Sequence, residues 1–237
     1  MARVIVHVLP DPEALAEHAA DVLANELATA TDLALAGGST PAATYRELAT
    51  RPIDWSRVDL WVGDERWVPP GDAASNVAMA RTALGVVPGR RVLAPPWAEG
   101  LTPGQSAEAY ERLLRARFGG APLSPGVVLL GIGDDAHTAS LFPGTAALDV
   151  TDRDYVANFV PQHGTWRLTL SLPAIHRADL VVFLVAGAGK AAALARILEG
   201  EDADLPARRV ATGPQRTLWL VDEAAAAHLA ATEVVRP

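Results

Sequence analysis

The residues best suited to chemistry lie in segment 131–143, which contains two adjacent carboxylates and a histidine. An imidazole titrates near neutral pH, so His137 can act as a general base, and Asp135 can fix its tautomer or bind a substrate. The alternative is a helix start that Asp134 or Asp135 caps, with His137 merely in the first turn. An apolar run at 126–130 precedes the segment and predicts that His137 stands where a strand ends, which favours the functional interpretation.

A second segment, 37–41, combines two glycines with Ser39, Thr40 and Pro41 between a predicted strand and a predicted helix. Glycine permits close approach, a hydroxyl can cap a helix, and proline suits a first helical turn. The backbone N–H groups from Gly38 to Thr40 would suit a phosphate. An ordinary strand-to-helix turn explains the pattern equally well, and the segment matches neither the Walker motif nor the dinucleotide fingerprint.

A third segment, 63–70, places Asp64, Glu65 and Arg66 after another predicted strand. Carboxylates can accept hydrogen bonds from sugar hydroxyls, and a guanidinium can donate them. A solvated surface turn is the simpler interpretation of these three residues on their own.

Two cations stand out from their surroundings. Lys190 is the only lysine in the chain and stands at a predicted helix start, where a positive charge opposes the helix dipole unless an anion compensates it. Arg167 lies in the alternating run 166–172, where a charge among apolar residues needs a partner. A phosphate would satisfy both, whereas Arg167 on a solvent-facing edge strand is the alternative.

These groups depend on a regular alternation of elements. Helical patterns at 11–28, after 41 and at 191–198 separate short β-rich runs, and the predicted strands are 4–9, 33–36, 58–62, 127–130, 180–185 and 217–221. The alternation predicts an α/β fold, a doubly wound and mostly parallel sheet with helices on both faces. We expect one domain over residues 1–237.

Composition restricts the function classes. The net charge of −8 argues against nucleic-acid or membrane binding, and the absence of cysteine excludes disulfides and thiolate chemistry. The other five histidines show no metal-ligand spacing. The longest apolar stretch is too short to span a bilayer and no signal peptide is evident, so we expect a cytoplasmic protein.

Taken together, the motifs resemble the 6-phosphogluconolactonases, which share a superfamily with the glucosamine-6-phosphate deaminases. Coverage is nearly complete, and the order and spacing of the pieces carry the resemblance more than any one of them. The resembling segments are 36–41, 63–66 with 75–76, 130–144, 167–170 with Pro173, 187–191 and 205–207.

The resemblance implies hydrolysis of 6-phospho-D-glucono-1,5-lactone in the oxidative pentose phosphate pathway, without metal or organic cofactor. It implies that His137 activates water, that Asp135 orients His137 or the sugar, and that Asp64 and Arg66 line the substrate pocket. It also implies that the 6-phosphate is held by Gly38, Ser39, Thr40, Arg167 and Lys190. The expected partner is a small-molecule sugar phosphate, and no obligate protein partner is evident.

One residue departs from the family pattern, since many relatives have glycine at the position of Ala136. An alanine there is expected to require a negative φ. The deaminases place a glutamate five residues beyond their histidine, where this chain has Phe142, which disfavours deamination. A sugar-phosphate sensor is a further alternative, but we expect such a regulator to carry a basic helix-turn-helix, and none is evident.

Overall fold

The computed structural model describes residues 5–85, 91–120, 122–213, 215–230 and 234–237. Within them the strands are β1 (Ile5–Leu9), β2 (Asp32–Leu35), β3 (Asp59–Val62), β4 (Asp64–Arg66), β5 (Val92–Leu93), β6 (Val127–Leu130), β7 (Tyr155–Val160), β8 (Thr165–Leu170), β9 (Leu180–Val185), β10 (Arg216–Asp222) and β11 (Val234–Val235). The helices are α1 (Pro12–Glu26), α2 (Ser39–Leu48), α3 (Asn76–Leu84), α4 (Pro103–Arg117), α5 (Leu172–His176), α6 (Ala191–Leu198), α7 (Pro206–Ala211) and α8 (Glu223–Ala226). None of the described helices combines the length and the apolar character needed to cross a bilayer.

Eight of these strands form one sheet in the order β11-β1-β10-β9-β6-β2-β3-β5, and every pair in it is parallel. The predicted doubly wound sheet is confirmed, and each of the six predicted strands is present within one residue at its ends. The first residue of the predicted strand 4–9, Val4, lies outside the described residues.

A second, antiparallel sheet of order β4-β8-β7 packs against the first and was not predicted. The alternating run 166–172 is a strand only as far as Leu170, because Ser171 caps α5 by accepting a hydrogen bond from the Ala174 N–H at 3.3 Å. The small sheet begins directly after β3. Gly63 donates to the Leu35 carbonyl of the large sheet at 2.9 Å and accepts from the Leu170 N–H of the small one at 2.8 Å.

The central strands are apolar without alternation because helices cover both faces of the sheet. Along β6, Val128 and Leu130 pack on the side of α4 to α7 and the small sheet, while Val127 and Leu129 pack on the side of α1, α2 and α3. All four β6 residues are at most 1% exposed. A fully buried Val or Leu side chain contributes about 1.5–3 kcal/mol, so the core itself fixes which strands are central.

Helix α1 shows how the local sequence sets an element's start. Asp11 caps it by accepting from the N–H groups of Glu13 and Ala14 at 3.0 and 2.9 Å, and Pro12 occupies the first turn. Leu15 and Leu23 face the core, as the apolar stripe predicts.

The strand order reverses between β2 and β6. From β2 the chain continues outward through β3 and β5, whereas from β6 it continues in the opposite direction through β9 and β10. A crevice is expected beyond the carboxyl ends of two such strands. The segments there are residues 36–38 with the start of α2 and residues 131–137, both within segments that the sequence singles out.

Two buried carboxylates attach α4 to the segment that leads into β7. Glu111 accepts hydrogen bonds from the Asp154 N–H at 2.6 Å and from Arg153 Nε at 2.7 Å. Asp154 accepts from Arg115 Nε at 2.7 Å and from the Leu123 N–H at 3.0 Å, and it also pairs with the Arg177 guanidinium. This network positions the β7–β8 hairpin.

We expect Asp154→Asn to lower the free energy of unfolding by about 3 kcal/mol, because Arg177 then loses its buried counter-charge and Arg115 keeps only that of Glu111. Urea denaturation measures the change. The control is Arg112→Gln, which breaks an exposed i,i+4 pair with Glu108 and should cost at most about 1 kcal/mol. Equal effects of the two substitutions would show that the Asp154 network does not hold the hairpin.

Candidate active site

A crevice of about 110 Å³ opens where the strand order reverses. Its lining residues are Ala36, Gly37, Asp64, Arg66, Asn76, Gly131, Ile132, His137, Ala139 and Arg167. Four predicted site residues are among them, namely Asp64, Arg66, His137 and Arg167. The other five predicted residues do not line it and are Gly38, Ser39, Thr40, Asp135 and Lys190.

Residues 133–137, which we call the His137 turn, form a tight turn and not a helix. The Gly133 N–H donates to the His137 carbonyl at 2.8 Å, and the Ala136 N–H donates to the Gly133 carbonyl at 3.0 Å. Asp135 Oδ1 accepts from the His137 N–H at 3.0 Å and lies 2.6 Å from His137 Nδ1. The interpretation of Asp134 or Asp135 as a helix cap is therefore wrong.

Glycine is necessary at position 133 because the imidazole occupies the space of a side chain. A Cβ atom on Gly133 would lie 2.0 Å from His137 Nδ1 and 2.7 Å from Asp135 Oδ1. Neither group could stay in place beside an alanine.

Ala136 has a φ of 66°, so the expectation of a negative φ at this position is wrong. A left-handed alanine costs about 1–2 kcal/mol, and tertiary contacts must offset that cost. Ala136 is fully buried, and its carbonyl accepts a hydrogen bond from the Ala207 N–H at 3.1 Å. Through that bond, segment 205–207 supports the backbone of the His137 turn.

The imidazole of His137 is held between a carboxylate and an aromatic ring. Phe142, fully buried, stacks on it with ring centroids 3.9 Å apart and an angle of 21° between the planes. Burial lowers the pKa of His137 below its usual value of 6.5, and this effect outweighs Asp135, which favours the charged form. More distant charges, Asp64 and Lys190, act on the imidazole in opposite directions.

The hydrogen bond between Asp135 and His137 decides which nitrogen can act as a base. Burial acts to raise the pKa of Asp135, but hydrogen bonds from the backbone and ring of His137 prevail and lower it. An ionised Asp135 can only accept, so Nδ1 carries the proton of the neutral imidazole. The lone pair is then on Nε2, for which the described part of the chain offers no hydrogen-bond partner.

Asp64 is buried at the crevice wall and holds a defined orientation. Its Oδ2 accepts a hydrogen bond from Ser140 Oγ at 2.7 Å. Ser140 is fixed in turn, since its N–H donates to Thr169 Oγ1 at 3.2 Å and its carbonyl accepts from Asn158 Nδ2 at 2.9 Å. The second oxygen of Asp64 remains available to a ligand.

Glu65 closes the start of α3 and does not face the crevice. It accepts from Ser75 Oγ at 3.0 Å and from the N–H groups of Asn76 and Val77 at 2.7 and 2.9 Å. Asp64 and Glu65 are 7% and 6% exposed, so the interpretation of this segment as a solvated surface turn is wrong.

Arg66 and Arg167 stand directly opposite each other on β4 and β8. Like charges in such a pair repel, and burial together with the neighbouring Arg66 lowers the pKa of Arg167. The only hydrogen bond of the Arg167 side chain in the described residues is a long one, 3.4 Å, from Nε to Thr165 Oγ1. Since β8 is the central strand of its sheet, the edge-strand interpretation of Arg167 is wrong, and the pair suits an anion.

Helix α2 begins beside the crevice without a side-chain cap. Its N-cap is Gly38, at a φ of 114°, so the expected capping by the hydroxyl of Ser39 or Thr40 does not occur. No side chain of the described residues caps the N–H groups at this end, so the positive end of the helix dipole is open to an anion.

Lys190 ends the turn before α6, next to the His137 turn. Its Nζ lies 2.6 Å from Asp134 Oδ1, so a carboxylate of the protein supplies the anion that the sequence predicts for this position. The nearest described acid is thus an exposed residue of the His137 turn itself.

Two residues of the site had no predicted role, although both lie in segments named in the sequence analysis. Asn76 lines the crevice, donates to the Asp64 carbonyl at 2.9 Å and occupies the space that a Cβ on Gly37 would need. Its place at a predicted helix start within the resembling segment 75–76 is the available signal. From the sequence, Phe142 mattered only because deaminases have a glutamate at this position. In the structure it is the ring that covers His137.

The described residues contain no cluster of three or more His, Asp or Glu side chains suited to a metal ion.

Residues 10–219 match the family described as glucosamine-6-phosphate isomerases and 6-phosphogluconolactonase. A 6-phosphogluconolactonase from Nostoc sp. is 41% identical over 94% of this chain and 98% of its own length. One from Mycobacterium tuberculosis is 36% identical, also over 94% of this chain and 98% of its own length.

Solved structures agree with the sequence comparison. The 6-phosphogluconolactonase of Trypanosoma brucei superposes with a TM-score of 0.85 at 29% identity, covering 96% of this chain and 99% of that one. A monomeric glucosamine-6-phosphate deaminase superposes with a TM-score of 0.77 at 22% identity, covering 95% of this chain and 100% of that one, and shares the fold.

We expect the imidazole of His137 to titrate below 6.5, and Phe142→Leu to raise its pKa. The smaller side chain admits water to the ring while Asp135 still favours the charged form. Proton NMR of the imidazole Cε1–H, assigned with His137→Gln, measures both values.

The matched control is Phe159→Leu, which changes a phenylalanine that is 43% exposed and should leave the titration unaltered. The assignment of Phe142 to the desolvation of His137 fails if the two leucine variants titrate alike.

Proposed function

The chain belongs to the family of glucosamine-6-phosphate isomerases and 6-phosphogluconolactonases, and from that premise we propose that it hydrolyses 6-phospho-D-glucono-1,5-lactone to 6-phosphogluconate. The observation that carries the proposal is the state of His137, a neutral imidazole with its free Nε2 at the wall of an arginine-bearing crevice. The relatives at 41% identity bear the name of this activity.

Lactone hydrolysis needs one group that first accepts a proton and then returns it. In the proposed reaction, Nε2 of His137 removes a proton from water as the water oxygen bonds to the lactone carbonyl carbon. The tetrahedral intermediate then expels the ring oxygen, which takes the proton from the imidazolium. The carbon–oxygen ester bond breaks, the carboxylic acid product ionises, and His137 is neutral again.

Asp135 supports both halves of this cycle. Its carboxylate holds Nδ1–H, which keeps Nε2 directed to the reacting water, and it stabilises the positive charge that His137 carries between the two steps. Because the pKa of His137 is lowered from 6.5, the base stays neutral at pH values somewhat below 6.5. Activity should fall only when the pH drops below the lowered pKa.

The polar walls of the crevice suit a phosphorylated sugar. Asp64, held by Ser140 through one oxygen, would accept from a sugar hydroxyl. Arg66 and Arg167 form a cationic pair that an anionic substrate would satisfy. The phosphate would contact Arg167, Lys190 and the open end of α2 at Gly38, Ser39 and Thr40.

The cytoplasmic location of the protein stays a prediction.

Phe142 distinguishes this reaction from deamination. A deaminase moves protons along an opened sugar chain, and its family places a second carboxylate at this position. Here the position holds an apolar ring stacked on the base. The lactonase reaction requires no second acid, so the geometry favours it.

The decisive experiment compares lactone hydrolysis above the spontaneous rate by the wild-type protein and by His137→Ala, with EDTA present. Removal of the base should lower kcat by about 10²–10⁴-fold. His228→Ala, which removes an exposed histidine, should retain full activity. A His137→Ala enzyme with normal turnover would exclude the role of His137, and a wild-type protein without activity would exclude the lactonase function.

We further expect Gly133→Ala to lower kcat/KM by about 10²-fold, because the added methyl displaces His137 and Asp135 from each other. The control is Gly104→Ala, at a position where a Cβ meets no atom within 4 Å. Steady-state kinetics should be accompanied by thermal unfolding. If Gly133→Ala retains activity, the orientation of the imidazole by Asp135 is not required for turnover.

A further inference from the structure

The ion pair between Asp134 and Lys190 joins the His137 turn to the loop after β9. Lys190 Nζ lies 2.6 Å from Asp134 Oδ1, with the two side chains 33% and 80% exposed. The loops are neighbours because β6 and β9 are adjacent parallel strands, paired at Leu130 and Phe183. One partner of the ion pair is therefore the proposed phosphate ligand, and the other is a residue of the His137 turn.

The loop that carries Lys190 is held independently of Asp134. Gly187, at a φ of 90°, donates its N–H to both carboxylate oxygens of Asp222 at 3.0 and 2.8 Å. The Lys190 N–H donates to the Gly187 carbonyl at 3.0 Å. Removal of the Asp134 carboxylate would thus free the lysine side chain and leave the backbone of its loop in place.

The carboxylate occupies Lys190 in the same way that an anionic ligand would. A ligand with one negative charge that replaces Asp134 exchanges one ion pair for another and gains little. A phosphate dianion brings a second charge, so it gains from the exchange. The ion pair must be broken by any anion that takes Lys190, so a carboxylate at this position weakens phosphate binding.

We propose that Asp134 competes with the phosphate of the substrate for Lys190 and thereby sets how tightly phosphorylated ligands bind. The inference rests on the proposed function for the identity of the phosphorylated ligand. Because substrate and product carry the same phosphate, Asp134 weakens the binding of both and thereby limits retention of the product.

The test is the affinity of Asp134→Asn for inorganic phosphate and for 6-phosphogluconate, measured by calorimetry at fixed ionic strength, together with KM for the lactone. An exposed ion pair is worth up to about 1 kcal/mol, so we expect both dissociation constants and KM to fall about two- to fivefold, which means tighter binding. Asp134→Glu should restore values near those of the wild type. Asp152→Asn, the same charge change at an exposed site, should leave them unaltered.

A second comparison shows whether Asp134 acts through Lys190. In a Lys190→Gln background, Asp134→Asn should no longer tighten phosphate binding. A similar gain in that background, or no gain in the wild-type background, overturns the proposal. Tighter phosphate binding by Asp134→Asn without lactone hydrolysis by the wild type would overturn the proposed function alone.

Discussion

The hydrogen bond between Asp135 and Nδ1 of His137 is the interaction on which the rest of the site depends. It fixes the tautomer, leaves Nε2 free at the crevice and would stabilise the imidazolium of the proposed reaction. It also imposes conditions on its neighbours. Gly133 must lack a side chain, and Ala136 must accept a left-handed backbone that the bond from Ala207 helps to hold. The His137 turn therefore holds its imidazole in place only with the help of Ala207, a residue far along the chain.

Much of the fold follows from patterns that are local in the sequence. The runs at 127–130 and 180–185 lack alternation because both faces of these strands are covered, and this alone places them at the centre of the sheet. Parallel strands end at one edge, so the position of His137 beyond β6 could be predicted. So could the start of α1, since Asp11 and Pro12 act within a single turn.

What the sequence does not reveal depends on contacts between distant segments. Strand β4 consists of Asp64, Glu65 and Arg66, which have no apolar pattern and form a strand only because β8 supplies hydrogen bonds. The central position of Arg167 follows from that pairing. The positive φ of Ala136 is unfavourable locally and is decided by a tertiary hydrogen bond. Asn76 approaches Gly37 only once α3 is packed.

The attachment of the small sheet to the large one through Gly63 divides the crevice into two parts of different origin. The base and its carboxylate belong to loops of the large sheet, whereas the paired arginines belong to the β4–β8 ladder. Substitutions in β4 or β8 therefore change the paired arginines without touching the loop that carries His137. The guanidinium groups of the crevice can thus vary in evolution while the turn that holds the imidazole is kept.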